Sequence, residues 1–157
     1  MRLINNPVHR SKAVEQTLQK LGGPNAVLFD TLREAMGFSA ALGYREKRRL
    51  PLDIKEGKED IQQGLYMMNE AVDLVFAIAL AADKTIDVLK PENEKECIKI
   101  FEEYANGGLH LMQEWLDLYS DIDVEEAIWR GLKTINFIPE PSNINKKIDK
   151  EPDFGTI

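Results

Sequence analysis

Residues 97–119 carry the feature that most constrains this chain. Cys97, Phe101, Tyr104, Gly108, Met112, Trp115 and Tyr119 recur at steps of three or four, the spacing of one helix face. The apolar phase runs unbroken through Gly107-Gly108, where a turn would reset it. The pattern therefore predicts one long helix, or two nearly coaxial ones, over about 92–119, with its glycines turned toward a neighbour. Ala105 and Gly108 remove bulk in mid-stripe and let another backbone approach, although glycine costs about 1 kcal/mol of helix propensity. A helix of this kind is expected to be the axis of a core.

The flanking segments also read as helices. Ser11 is placed to cap one that runs to Leu21, with Val14, Leu18 and Leu21 on one face and Gly22-Gly23-Pro24 as its stop. Thr31 and Glu34 have capping-box spacing ahead of a face made by Leu32, Ala35, Met36, Ser39 and Leu42, and Gly43 reads as the terminator. Ile61, Leu65 and Met68 suggest a helical turn or two, with Asn69 as cap for the apolar helix that follows. Lys90-Pro91 closes a short segment and launches the central helix, whose first turn holds Glu92, Glu94 and Glu96. Asp121 or Asp123 can cap a last helix with the stripe Val124, Ala127, Ile128, Gly131, Leu132 and Ile135. The expectation is an all-α, single-domain bundle of about six helices over 1–138. Residues 139–157, rich in Pro, Asn, Lys and Asp, are expected to form an extended or mobile tail.

Composition narrows the function classes. The 157 residues suit one domain, and one cysteine, Cys97, permits no intrachain disulfide. With no signal-peptide pattern at the start, a reducing cytoplasm is the expected location. The longest apolar run, nine residues over 74–82, is far below the ~20 needed to span a membrane. Net charge is −7, which disfavours a nucleic-acid binder taken alone, yet residues 1–50 carry nine Lys or Arg against four Asp or Glu. The acidic excess lies wholly in the rest, as in a two-faced adaptor.

Few side chains suggest chemistry. His110 and Glu114 lie one turn apart and could start a metal site, but two ligands are too few, and a solvated polar face with Glu103 and Asn106 is the plainer reading. Cys97 lacks a basic partner and sits in the apolar stripe, as a small core residue would. His9 stands in the N-terminal arm without a companion. No phosphate-cradling loop, catalytic set or cofactor signature emerges. The strongest functional signal is the basic segment at 44–51: Tyr44 offers a ring, and Arg45, Lys47, Arg48 and Arg49 could grip phosphates or a partner, with Arg2, Arg10 and Lys12 adding to that surface if the arm folds back. The same run also reads as a solvated loop.

Two stretches carry a resemblance: Phe38-Ser39-Ala40-Ala41-Leu42-Gly43-Tyr44-Arg45-Glu46-Lys47-Arg48-Arg49-Leu50-Pro51-Leu52, and Ile100 through Leu111 with its Ile-Phe-Glu-Glu-Tyr-Ala-Asn-Gly-Gly-Leu core. Over about 31–118 the chain resembles the small accessory proteins of bacterial DNA phosphorothioation systems, the family called Dnd system-associated protein 4. The resemblance implies a role beside systems that replace a non-bridging phosphate oxygen of DNA by sulfur and restrict unmodified foreign DNA. It carries over no catalytic residue and no cofactor. A single-cysteine chain cannot supply the desulfurase or iron–sulfur chemistry of such systems. The implied function is that of a non-catalytic accessory or regulatory subunit whose partners are proteins of a phosphorothioation or restriction complex, with any DNA-backbone contact weak and strongly salt-dependent. An independent DNA-binding regulator and a metal-dependent nuclease around His110 and Glu114 are the rival readings.

Overall fold

The computed structural model describes residues 6–52 and 71–138. Five α-helices occur among them: α1 (Glu15–Leu21), α2 (Leu32–Arg45), α3 (Ala71–Asp83), α4 (Glu94–Leu118) and α5 (Val124–Thr134). Short 3-10 turns at Lys12–Val14, Ile86–Leu89 and Pro91–Asn93 lead into or between them. The turn or two expected around Ile61, Leu65 and Met68, the cap at Asn69 and the tail at 139–157 lie outside the described residues.

Helix α4 is the axis. Against it pack α1, α2, α3 and α5, and Phe101, Ile100, Leu109 and Met112 are fully buried there with Leu18, Leu21, Met36 and Leu42 from the first two helices. Each side chain of this size contributes about 1.5–3 kcal/mol through removal from water. The predicted stripe is buried at Cys97, Phe101, Gly108, Met112 and Trp115, and half-buried at Tyr104 and Tyr119. Burial extends well beyond the stripe, to Ile98, Ala105, Leu111 and the polar Glu102, Glu103 and Asn106.

The glycines face neighbours as expected, and adjacent ones face different neighbours. A Cβ on Gly108 would overlap the Ser39 carbonyl of α2, one on Gly43 the Tyr104 carbonyl of α4, and one on Gly107 the Arg48 carbonyl of the following loop. Helices α2 and α4 thus cross backbone against backbone. Gly43 is a contact point inside α2 and not its terminator.

The stop comes at Lys47. It takes the left-handed conformation (φ 57°), while its N–H bonds the Tyr44 carbonyl and the Arg48 N–H bonds the Gly43 carbonyl. This is the Schellman closure, with lysine where glycine is usual. Helix α5 closes the same way through Asn136 (φ 59°). Two of the expected side-chain caps form: Thr31 Oγ1 accepts from the Glu34 N–H and Asp123 Oδ1 from the Glu126 N–H. The Glu34 carboxylate reaches back to the Asp30 N–H, one residue earlier than the capping box places it. Ser11 makes no side-chain cap bond.

Candidate functional site: a clasped basic segment and its neighbouring cleft

After the Schellman turn the chain runs along α4, so that the basic segment lies over the polar side of the central helix. Part of that side is buried. Asn106, only 3% exposed, donates through Nδ2 to the carbonyls of Leu50 (3.2 Å) and Pro51 (3.1 Å), and the Leu50 N–H bonds the Glu103 carbonyl at 3.0 Å. These bonds fix the segment's backbone, and Gly107 leaves room for it at Arg48.

The cations then find carboxylates. Arg48 makes a two-toothed pair with Glu114, both N–O distances 2.9 Å. The hydrogen bond from Arg48 holds the Glu114 carboxyl below its ordinary range, helped by the charges of Arg48 and His110 and opposed by partial burial. In turn, Glu114 raises the Arg48 guanidinium above its ordinary value. Arg49 bonds the buried Glu103 at 2.9 Å and lies 5.7 Å from the centre of the Tyr104 ring. Arg45 pairs with Glu46 at 2.6 Å, donates to the carbonyls of Ile135 (3.1 Å) and Asn136 (3.2 Å), and stacks over Phe137. Its charge sits at the C-terminal end of α5, where the helix dipole favours a cation.

Arg45 and Arg49 stay partly open to solvent in these pairs, as do the two residues of the segment that carry no ion pair among the described residues. Tyr44 is 40% exposed, its ring edge-on to Tyr104 at 5.5 Å. Lys47 is exposed and makes no ion pair among the described residues. The structure thus pairs all three arginines with carboxylates of the chain, Arg48 and Arg49 on α4 and Arg45 beside the end of α5, and leaves Lys47 without an ion pair among the described residues. Arg10 does not join that surface: it is buried and paired with Glu15. Lys12 is exposed, and Arg2 lies outside the described residues.

Of the polar face read from sequence as solvated, Glu103 and Asn106 are buried beside this loop, His110 is half-buried, and Glu114 stays exposed. Glu114 is committed to Arg48, and no group of three or more His, Cys, Asp or Glu able to hold a metal occurs among the described residues. Cys97 is fully buried, its thiol donating to the Val88 carbonyl at 3.0 Å.

His9, read as lacking a companion, has one. Its backbone N–H bonds the buried Glu102 carboxylate, and its Nδ1 lies 3.1 Å from the same oxygen. Asn6 donates to Glu94 at 2.5 Å, so the N-terminal arm is tied to the first turns of α4. Between the arm, the first half of α4 and the end of the basic segment lies a cleft of about 540 Å³. Its lining includes Pro7, Pro51, Leu52, Lys95, Ile98 and Lys99. Sequence reasoning missed Glu102, Glu103 and Asn106 as anchoring residues. The available signal was that apolar residues flank them on both sides of the stripe, as on a helix enclosed by neighbours.

The fold and this face together define a small helical protein built around one enclosed helix, with no described helix long and apolar enough to cross a membrane. A family model described as DNA sulphur modification system-associated protein 4 matches residues 7–144, and the chain belongs to that family. The match extends beyond the 31–118 over which the motifs were legible. No curated protein and no solved structure matches the chain.

Proposed function

We propose that the chain is a non-catalytic accessory subunit of a DNA sulphur-modification system in the bacterial cytoplasm, docking onto another protein of that system through the face presented by Tyr44 and Lys47. The family's association with such a system supports the setting. The observation that carries the mode of action is the internal pairing of Arg45, Arg48 and Arg49. A segment that reads as a bare cationic run holds one uncompensated lysine, beside an exposed tyrosine, on a backbone pinned to α4. Tyrosine on a preorganised segment is suited to a protein interface. DNA-backbone contact through Lys47 alone would give a salt slope of about −0.9, too shallow for an independent DNA binder. The system it would serve is one of phosphorothioation-linked restriction and defence.

The test is recovery of the tagged chain from its host, with and without nuclease. Sulphur-modification or restriction proteins are expected to co-purify after nuclease treatment and to be lost with the pair Tyr44→Ala and Lys47→Glu. Recovery that disappears with nuclease would replace this reading by direct DNA binding.

A further inference from the structure

We infer that the cleft between the N-terminal arm and the first half of α4 binds a nucleoside monophosphate unit, with the phosphate at Lys95 and Lys99 and the apolar body against Pro7, Pro51, Leu52 and Ile98. Charge accounting within the cleft leads there. Of its two lining carboxylates, Glu103 is matched by Arg49 at 2.9 Å, and Glu102 is held by the backbone N–H and ring of His9. Lys95 and Lys99 are exposed and make no ion pair or side-chain hydrogen bond among the described residues. Two ammonium groups at the N-terminal end of the cleft are thus unpaired among the described residues, with the carboxylates of Glu102 and Glu103 at its other end.

Spacing and size select the ligand class. Residues four apart on a helix hold their Cβ atoms about 5–6 Å apart, so both ammonium groups can reach one anion. A phosphate monoester, carrying about −1.5 to −2 at neutral pH, matches them where a carboxylate would leave one unmatched. A volume of about 540 Å³ lies in the range of small-molecule sites, and two proline rings with Leu52 and Ile98 supply apolar surface that inorganic phosphate would leave uncovered. Orientation follows from the helix. Lys95 and Lys99 lie at the N-terminal end of the cleft and Glu102 and Glu103 at the other, so like-charge repulsion keeps the phosphate at the lysines. Glu92 and Glu96 are exposed around the same first turn and disfavour a long polyanion there, which sets a single phosphate above an extended backbone. The choice of a nucleotide as the phosphate's carrier rests on the DNA-linked reading above.

The experiment is calorimetric titration of the full chain with deoxyadenosine monophosphate, deoxyadenosine and a 5′-phosphorylated single-stranded oligonucleotide. The monophosphate is expected to bind, deoxyadenosine to bind about tenfold or more weaker, and Lys95→Ala with Lys99→Ala to weaken the monophosphate by a similar factor without changing the circular dichroism. Lys95→Arg with Lys99→Arg should restore binding. An oligonucleotide that binds with the same lysine dependence identifies a DNA end as the source of the unit; one that does not identifies a free nucleotide. Absence of monophosphate binding, or binding indifferent to the two lysines, overturns the inference. The lysine-to-alanine chain should still capture its protein partners, so failure of the cleft and failure of the accessory-subunit reading are separable.

Discussion

Helix α4 meets α2 and the segment that follows α2 by opposite means. At its crossing with α2 the contact is steric: Gly43 and Gly108 leave no space between one helix and the carbonyls of the other. One turn further along the chain, the segment 46–52 is held to α4 by directional polar bonds from Asn106, Glu103 and Glu114. The crossing tolerates no added atom but has no orientation of its own beyond shape. The clasp orients the basic segment, but much of it is reachable by water. Substitutions should therefore hurt in proportion to how little the neighbour can yield.

The largest effect is expected at the crossing. Gly108→Val or Gly43→Val drives a side chain into backbone that belongs to a second helix, and should cost about 3 kcal/mol or more, read as a large drop in the midpoint of thermal unfolding. At Gly131 the added methyl would overlap the buried Trp115 ring, so Gly131→Ala is expected to destabilise as well, through a side chain and not through backbone. If Gly108→Val unfolds near the parent temperature, the crossing is not close-packed and the contrast with the clasp fails.

Next comes Asn106→Ala. It removes both donors from the Leu50 and Pro51 carbonyls, and it also removes a buried Oδ1 that has no hydrogen-bond partner, so the two effects partly offset. A net loss of roughly 1–2 kcal/mol is expected by chemical denaturation, with faster amide exchange at Leu50. Exchange at Leu50 unchanged would mean that the glycine contact at Arg48 alone fixes the segment.

These two regions were unequally legible in the sequence. The crossing could be read because an apolar period that survives Gly107-Gly108 has one simple explanation, and the caps at Thr31 and Asp123 could be read because their partners lie three residues away. The clasp could not: Arg48 and Glu114 are 66 positions apart and Arg49 and Glu103 54, with nothing local to join them. Periodicity marks Glu103 and Asn106 as polar and is silent on whether a loop covers them. Gly43 was misread for a related reason. A glycine near a helix end looks like a stop when the helix that presses on it is 60 residues downstream. The cleft escaped notice because its walls come from the arm, the post-α2 segment and α4, three stretches that only the fold assembles.

Lys47 is expected to move stability the other way. Its left-handed backbone costs a side-chain-bearing residue roughly 1 kcal/mol that glycine does not incur, so Lys47→Gly should stabilise the chain by up to about that amount. The same change should weaken partner capture, which would separate the lysine's structural cost from its place on the exposed face. Partner capture unaltered by Lys47→Gly would leave Tyr44 to carry that face.

The smallest effect belongs to the pair most exposed to water. Glu114 is mostly exposed and Arg48 only partly covered, so solvent screens their attraction and the pair should contribute no more than about 0–1 kcal/mol in a double-mutant cycle, falling further in high salt. Its pH dependence has a definite sign. Arg48 lowers the folded-state pKa of Glu114 below the unfolded value of about 4.3, so the folded chain binds the proton less readily than the unfolded one. The contribution is therefore complete above the unfolded value and fades as pH falls from there through the lowered folded value. Comparing Glu114→Gln with the parent across that range should show two stability curves converging toward acid. Curves that stay parallel would mean that the ion pair adds nothing and that the clasp rests on Asn106 and Glu103 alone, which would end it at Asn106, about two helical turns before Glu114.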